Sequence, residues 1–416
     1  MVHLALICPP FQAHLRVFEA LAEALARRGH RTTFLLNAGA EAFVRSDVPA
    51  VRTPPATPAS ARLLARTVRH AEHPGGVIGI LRTVRDTAAL TEALCAAGPD
   101  ILRAIEADAV VGDQLEPAAG LLAAGLGLPY ASIAAALPIN RDPGVPLPYL
   151  AWPYDPSPSG AARVARAAAI ADILMRRQNA TIARWAERFG LGRRRTPDDC
   201  LSPSLQIAQT VRGFDFPRPA ESPLHYVGPM CPPERDAAPL PFALDPDRPL
   251  VFATFGTLQG HRLSAFQATA KACRGLGAQL LVAHGGRLSP RQAASIGADA
   301  VTDFVSYPSA MARAAVCLTH GGSNTVLAAL AAGVPLIAAP VAFDQPGNAA
   351  RIAHHRVGVH IPLRRLSARR LTPALGRLLA DPGYRERAAR LGREIAASGG
   401  AARAADLIER HLLNAR

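Results

Sequence analysis

The chain has 416 residues, a length that suits two α/β domains of roughly 200 residues each better than one core. Hydrophobic residues make up 49% and charged residues 19%, so large cores can be buried and general disorder is excluded.

The net charge of +14 comes almost entirely from arginine, because Lys271 is the only lysine. A basic chain can bind an anionic membrane, an anionic substrate or nucleic acid. Nucleic acid is the weakest interpretation, since the sequence lacks zinc-finger spacing and a basic strand with interleaved aromatic residues.

The cysteines and the amino terminus give no sign of secretion. The six cysteines stand singly without CxxC spacing, as expected of reduced thiols in a cytosolic protein. The first residues lack a basic segment of the kind that opens a signal peptide, and no apolar run approaches the roughly 20 residues of a membrane span. We therefore expect a cytoplasmic protein that meets a membrane only at its surface. The expected contact is the most basic segment, 351–416, with its cluster of Arg364, Arg365, Arg369 and Arg370; the alternative is that these arginines coat solvated helices.

The first half of the chain alternates between strand and helix patterns. Apolar residues recur at helical spacing over 15–25, and Gly29 can end that helix. Short apolar runs that predict buried parallel strands lie at 2–7, 31–36, 109–111 and 128–133. Such βαβ units are joined by right-handed crossovers. We expect a first domain over 1–212.

A proline-rich segment separates the two halves. Ten prolines lie between 213 and 250, a density that predicts an interdomain linker without regular structure over 213–248. A second βαβ series predicts another domain over 249–394, with strands at 250–255, 279–283, 316–319 and 334–339. The predicted fold class is α/β, with two Rossmann-like domains whose parallel sheets face each other across a cleft. Ligands bind at the carboxyl ends of such strands.

Two common nucleotide-binding patterns are absent. No GxGxxG or GxxxxGK[ST] sequence follows a strand, which argues against a dinucleotide oxidoreductase and a P-loop NTPase. Asp245 and Asp247 have the spacing of a metal-binding DxD pair, but they lie in the proline-rich linker. No His, Asp and Glu residues have the spacing of metal ligands, so we expect no metal and no tightly held cofactor.

The most informative segment is 303–351. His320-Gly-Gly322 closes a predicted strand, and Ser323, Asn324 and Thr325 open a helix. Small residues let a phosphate approach the free N–H groups of the first helical turn, where the helix dipole also favours negative charge. The hydroxyls of Ser323 and Thr325, the amide of Asn324 and the ring of His320 can add hydrogen-bond donors. The turn therefore predicts a phosphate site.

This segment is similar to the signature box of family 1 glycosyltransferases, which have the GT-B fold and use UDP-sugars. The resemblance is carried by Asp303–Tyr307, Thr319–Leu327, Gly333–Pro335 and Ala342–Gln345. It implies a nucleotide-sugar donor and an inverting, metal-independent transfer. It also implies that the last helix, within 395–416, crosses back to the first domain.

The resemblance assigns roles to individual residues in the donor site. Phe304 would stack on the uracil, and the main chain of Val305 would read its edge. His320 and the turn Gly322–Thr325 would hold the diphosphate. The sugar hydroxyls would bond to Asp344 and Gln345, and the loop with Gly256 and Thr257 would lie near the phosphates.

The first half supplies a candidate for general acid–base catalysis. His14 follows the first strand, in a loop at the mouth of the cleft, and histidine has the near-neutral pKa that a general base needs. The family uses a histidine at this place as the base. Asp113, after the strand at 109–111, matches the family's aspartate that bonds the far nitrogen of that histidine and stabilises the imidazolium.

Pieces outside the box resemble the bacterial branch of the family that glucosylates carotenoids. They include Ala135–Pro143, Gly112–Pro117 and Phe255–His261. This resemblance implies UDP-glucose as donor and the ring hydroxyls of zeaxanthin, a lipophilic acceptor, as the other substrate.

One departure leaves the donor open. The family usually has a carboxylate eight residues after the box histidine, where it bonds the ribose, and this chain has Ala328. A dTDP-sugar transferred to a polyketide-like acceptor is therefore an alternative. Two further alternatives are a nucleotide-sugar 2-epimerase, which needs no acceptor, and a degenerate GT-B protein that only binds a lipid or nucleotide.

Overall fold

The computed structural model describes residues 1–231 and 239–413 of the chain. Its strands are β1 (His3–Ile7), β2 (Arg31–Leu35), β3 (Ala50–Arg52), β4 (Ala109–Asp113), β5 (Tyr130–Ala134), β6 (Gln206–Ala208), β7 (Leu224–Tyr226), β8 (Leu250–Thr254), β9 (Gln279–Ala283), β10 (Ala300–Thr302), β11 (Ala314–Thr319), β12 (Leu336–Ala338) and β13 (Gly358–His360). Its α-helices are α1 (Gln12–Ala26), α2 (Pro58–Glu72), α3 (Gly76–Ala104), α4 (Ala118–Gly125), α5 (Pro158–Leu174), α6 (Arg176–Arg188), α7 (Gly256–Gln259), α8 (Leu263–Arg274), α9 (Pro290–Ala294), α10 (Tyr307–Arg313), α11 (Ser323–Ala331), α12 (Gln345–His354), α13 (Ala368–Ala380), α14 (Pro382–Ala396) and α15 (Gly400–Ile408). Short 3₁₀ turns lie at Ala40–Phe43, Pro197–Cys200 and Leu363–Arg365, and a π-helical turn lies at Glu409–Leu413.

The strands form two parallel sheets, as the alternating pattern predicts. The first sheet has the order β3-β2-β1-β4-β5-β6-β7, and its neighbours pair in parallel. Leu4 and Leu6 of β1 point into one core layer, and Ala5 and Ile7 point into the other. Helices thus cover both faces, which is why these strands read as continuous apolar runs.

The second sheet repeats this plan in the order β10-β9-β8-β11-β12-β13. Its central strand β8 alternates in the same way, with Phe252 in one core layer and Val251 and Ala253 in the other. The register pairs Thr254 with Thr319 at the carboxyl ends of β8 and β11. The two strands therefore deliver their following loops to one point on the sheet edge.

The proline-rich segment contains regular structure, so the prediction of an unstructured linker over 213–248 is wrong for part of it. β7 lies inside this segment and pairs with β6. The physical reason is its position at the sheet edge, where the prolines that flank a short strand need not donate to a second neighbour. Residues 232–238, with Pro232 and Pro233, lie outside the described residues.

The chain returns to the first domain at its carboxyl end. α14 packs on the second domain through Leu391 and Ile395, and α15 packs against α1 with Ala405 and Ile408 in the first core. Arg28 bonds Asp406 and Glu409, each at 2.6 Å, beside this contact. Within the described residues, no helix is both long and apolar enough to span a bilayer.

A buried ion cluster joins the second domain to the β6–β7 connection of the first sheet. Asp215 accepts hydrogen bonds from Arg351 of α12 at 2.7 and 2.9 Å, from Arg218 at 2.7 Å and from Tyr226 of β7 at 2.8 Å. Arg351 also lies over the ring of Phe216, 4.2 Å from its centroid. Burial opposes the charged form of Asp215, but the two guanidinium groups outweigh it and lower the pKa of the carboxyl. The cluster thus fixes the position of α12.

This geometry predicts the effect of removing the shared carboxylate. We expect Asp215→Ala to lower the free energy of unfolding by about 3–5 kcal/mol, because two guanidinium groups would stay buried without their common partner. Chemical denaturation followed by circular dichroism measures it. Asp100→Ala is the matched control: its side chain is 90% exposed in a surface pair, so the loss should stay below about 0.5 kcal/mol. Equal losses in the two variants would contradict the role of the cluster.

Candidate active site

His14 and Asp113 meet at the carboxyl edge of the first sheet. The Nδ1 of His14 lies 2.7 Å from Oδ2 of Asp113, whose side chain is fully buried. His14 belongs to the first turn of α1 rather than to a loop, which corrects the sequence-based placement. The helix begins early because Phe11 is extended after Pro9 and Pro10 and its carbonyl already accepts the His14 N–H at 3.0 Å.

The charges around His14 favour its protonated form. Burial alone would lower its pKa, but Asp113 and then Asp344 outweigh burial, so the pKa is raised above the ordinary 6.5. Asp113 also receives the N–H of Leu115 on its other oxygen, at 2.9 Å, which fixes the carboxylate. With Nδ1 bonded to the carboxylate, Nε2 is the nitrogen that can accept a proton. The pair has the chemistry of a base held and stabilised by a carboxylate.

His320 lies at the corresponding edge of the second sheet, directly after β11. Two glycines leave room for its ring: a Cβ on Gly256 would lie 3.0 Å from Cε1, and one on Gly322 would lie 2.6 Å from Nε2. Burial lowers the pKa of His320 to about 4, although a hydrogen bond to the backbone of Thr254 favours the charged form. The ring is therefore neutral at physiological pH, and its single N–H donates to the backbone of Thr254.

Asp344 couples electrostatically to His14. It precedes α12, and its Oδ2 accepts hydrogen bonds from Ser323 at 2.6 Å and from Asn348 at 3.1 Å. Burial raises the pKa of Asp344, while Ser323 and the charge of His14 oppose that rise. Because Asp344 and His14 each affect the pKa of the other, the expected sugar-binding residue lies close to the expected base.

Gln345 holds the loop before Asp344. Its Oε1 accepts the N–H groups of Val341 and Ala342 at 2.8 and 3.0 Å. Phe343 in this loop has φ of +59°, a left-handed conformation that non-glycine residues rarely adopt. The side-chain carbonyl of Gln345 is thus bonded to the loop, and the side-chain NH2 is the group that can bond a ligand.

Two predicted phosphate donors have other partners. The amide of Asn324 bridges the domains, accepting from Gln209 at 2.9 Å and donating to the carbonyl of Ala13 at 3.3 Å. The hydroxyl of Thr325 is buried 3.3 Å from that of Tyr307. The side chains of these two residues are therefore not free to bind a phosphate. The backbone N–H groups at the start of α11 can still bind an anion, since no described side chain caps them.

The remaining expected donor residues follow strands β8 and β10 at the carboxyl edge of the second sheet. Phe304 is 61% exposed and lies over Gly286, as a stacking platform would, whereas Val305 packs on the second core. The carbonyl of Thr257 accepts from Arg287 at 2.5 Å. In the described part of the chain, no three His, Cys, Asp or Glu side chains are grouped as metal ligands.

Sequence reasoning missed two residues of the site. Asn348 lies four residues after Asp344, a helical spacing that could have revealed it, and it also donates to Ser323 at 3.0 Å and to the Gly321 carbonyl at 2.9 Å. Gln209 follows β6, and no local pattern marks it. It reaches the site only because the second domain closes on the first.

Comparison with known proteins agrees with this architecture. Residues 193–395 match the family described as UDP-glucoronosyl and UDP-glucosyl transferase. The chain is 40% identical to a zeaxanthin glucosyltransferase of Pseudescherichia vulneris over 98% of both chains, and 37% identical to one of Pantoea ananas over 98% of this chain and 96% of the other. The crystal structure of the glycotransferase of kitacinnamycin matches with a TM-score of 0.78, at 21% identity over 99% of both chains.

The fold prediction and the family resemblance are both confirmed. The chain is a GT-B glycosyltransferase and belongs to the family of UDP-glucoronosyl and UDP-glucosyl transferases.

Proposed function

We propose that the enzyme transfers glucose from UDP-glucose to the ring hydroxyls of zeaxanthin, with inversion at the anomeric carbon. The observation that carries the chemistry is the His14–Asp113 pair held next to Asp344. The names of the two relatives above support the acceptor, since both cover nearly the whole chain. The family supports a nucleotide-sugar donor.

The mechanism is a single displacement. Nε2 of His14 takes the proton of the acceptor hydroxyl, and its oxygen attacks the anomeric carbon while the bond to the diphosphate breaks. Asp113 stabilises the imidazolium that forms. Asp344 and Gln345 hold the sugar hydroxyls, and Phe304 stacks on the base.

The leaving diphosphate is stabilised by fixed dipoles and neutral donors. We assign this role to the first N–H groups of α11 and to the single N–H of His320, which would then leave its bond to the Thr254 backbone. Catalysis then needs no metal ion, which an assay in the presence of a chelator tests.

A second donor and acceptor class stays open because of one residue. Ala328 lies in the second turn of α11, where the family resemblance leads one to expect a ribose-binding carboxylate. Without it, a dTDP-sugar and a polyketide-like acceptor are the alternative substrates.

Product analysis tests the proposed function. Incubation of zeaxanthin with UDP-glucose should add one or two hexose masses to the carotenoid, and kcat/KM should be higher than with dTDP-glucose. A reaction without acceptor is the control for hydrolysis or epimerisation of the donor. A higher kcat/KM with dTDP-glucose would favour the alternative, and loss of the donor without any glycosylated product would overturn the transfer itself.

Removal of the base is the second test. His14→Ala should lower kcat by roughly 10²–10⁴-fold, the usual contribution of general-base catalysis. Its affinity for UDP should stay close to that of the wild type, because the expected nucleotide site lies in the second domain. His411→Ala, which changes an exposed histidine in the last helical turn, is the control. Turnover of His14→Ala within about threefold of the wild type would contradict the role of His14 as the general base.

The raised pKa of His14 predicts a pH profile. A base works only when deprotonated, so kcat/KM should fall as the pH drops through the His14 pKa, which lies above 6.5. Asp113→Asn removes the nearest negative charge, so this inflection should move to lower pH while the maximum rate also decreases. Asp100→Asn should leave the profile unchanged. An inflection that stays in place in Asp113→Asn would show that another group controls the profile.

A further inference from the structure

A group of exposed aliphatic side chains lies on two adjoining helices of the first domain. The described residues expose eleven large hydrophobic side chains, and six of them belong to α3 and α5, which contact each other. We call them the α3–α5 patch: Val77, Ile78, Ile80, Leu81, Ile170 and Ile173. Ile78 is 66% exposed and Ile173 is 69% exposed. Water thus reaches aliphatic side chains whose burial in an apolar environment would lower the free energy.

The start of α3 is largely exposed. From Gly75 to Arg82 the structure buries only Gly79, where an added Cβ would lie 2.6 Å from the Pro74 carbonyl. Farther along the same helix Val84, Ala88 and Leu90 are buried in the ordinary way. The large exposed aliphatic side chains of α3 are therefore confined to its first two turns.

Arginines border the patch, and the acids next to it are ion-paired. α3 adds Arg82 and Arg85 next to the aliphatic residues, and α5 adds Arg166. The one acid between 76 and 91 is Asp86, which is buried and paired with Arg66 at 2.9 Å, with His70 at 2.5 Å and more loosely with Arg85 at 3.7 Å. On α5, Asp172 is held by Arg141 at 2.6 Å, and the same guanidinium also pairs with Asp198 at 3.0 Å. An aliphatic surface bordered by cations complements an anionic lipid surface.

Hydrogen bonds link α3 to the loop that follows Asp113, the partner of the proposed catalytic base His14. Thr91 of α3 donates to Glu116 at 2.7 Å, and the N–H of Glu116 bonds the carbonyl of Asp113 at 3.0 Å. Gln178 of α6, which follows α5, donates to Thr91 at 3.0 Å. The patch thus lies on the helices that back the His14–Asp113 pair.

We propose that the α3–α5 patch docks the enzyme on an anionic bilayer, with its aliphatic side chains inserted at the headgroup boundary and its arginines on the phosphates. This goes beyond the proposed function, because the contact is independent of which acceptor is glycosylated. A second copy of the chain is the poorer occupant, since a symmetric contact would bring the same arginines together.

The patch also replaces the membrane contact expected from the sequence. Arg364, Arg365, Arg369 and Arg370 are exposed, but residues 305–413 of the described chain expose no large hydrophobic side chain. Such a cluster offers attraction without apolar area, and membrane binding of peripheral helices scales with both.

Vesicle sedimentation of the full chain, without donor or acceptor, tests the proposal. The vesicles are phosphatidylcholine with or without phosphatidylglycerol, at low and high salt. The double variant Ile78→Ser with Ile173→Ser should lower partition into anionic vesicles by at least about tenfold. Val48→Ser is the matched control, since Val48 is an exposed aliphatic residue outside the patch. Thermal unfolding by circular dichroism checks that both variants fold.

A further pair of variants separates the two basic surfaces. Arg82→Gln with Arg166→Gln should weaken binding and its salt dependence, whereas substitution of Arg364, Arg365, Arg369 and Arg370 by Gln should change partition by less than about twofold. The proposal is overturned if the wild type does not sediment with anionic vesicles, or if the patch variant binds like the wild type. It is also overturned if only the second set of variants loses binding, or if ultracentrifugation reveals a dimer that the patch variant abolishes.

Discussion

The buried carboxylate of Asp215 is the constraint on which the active site depends. It belongs to the connection between β6 and β7 of the first sheet, yet it accepts two hydrogen bonds from Arg351 of α12 in the second domain. α12 begins directly after Asp344, so the ion cluster fixes the helix whose first turn carries the expected sugar-binding residues. The N–H of Gly347 adds a bond to the Pro148 carbonyl at 2.9 Å, and a Cβ at Gly347 would lie only 2.3 Å from that oxygen. The position of Asp344 beside His14 thus follows from packing of Gly347 and Arg351, about one and two helical turns farther along α12.

Two histidines of one sequence have opposite electrostatic roles here. His14 lies among carboxylates, and their charges outweigh its burial and raise its pKa. Among the residues that the structure describes, no carboxylate charge acts on His320, and burial lowers its pKa to about 4. The first is suited to accept a proton near neutral pH, and the second is suited to donate a hydrogen bond without changing its charge. Glycines at 256 and 322 make the second environment possible, because larger residues would displace the ring.

Much of this fold could be predicted from local patterns, since parallel strands buried on both faces are continuous apolar runs and their carboxyl ends carry the polar residues. The signature box therefore indicated His320, Asp344 and Gln345, and the loop after β1 indicated His14. The missing parts depend on distant contacts. β7 is flanked by prolines and exists only as an edge partner of β6. The amide of Asn324 bonds Gln209 and the Ala13 carbonyl, 115 and 311 residues away, so its sequence neighbourhood could not reveal that role.

In the proposed mechanism, one histidine base drives a single displacement across the cleft. The anomeric configuration of the product distinguishes this mechanism from one that proceeds with retention. When UDP-α-glucose is the donor, nuclear magnetic resonance of the purified carotenoid glucoside should show the large anomeric proton coupling of a β-linkage. An α-linked product would require retention of configuration, and that result would contradict the mechanism built on His14 and Asp113.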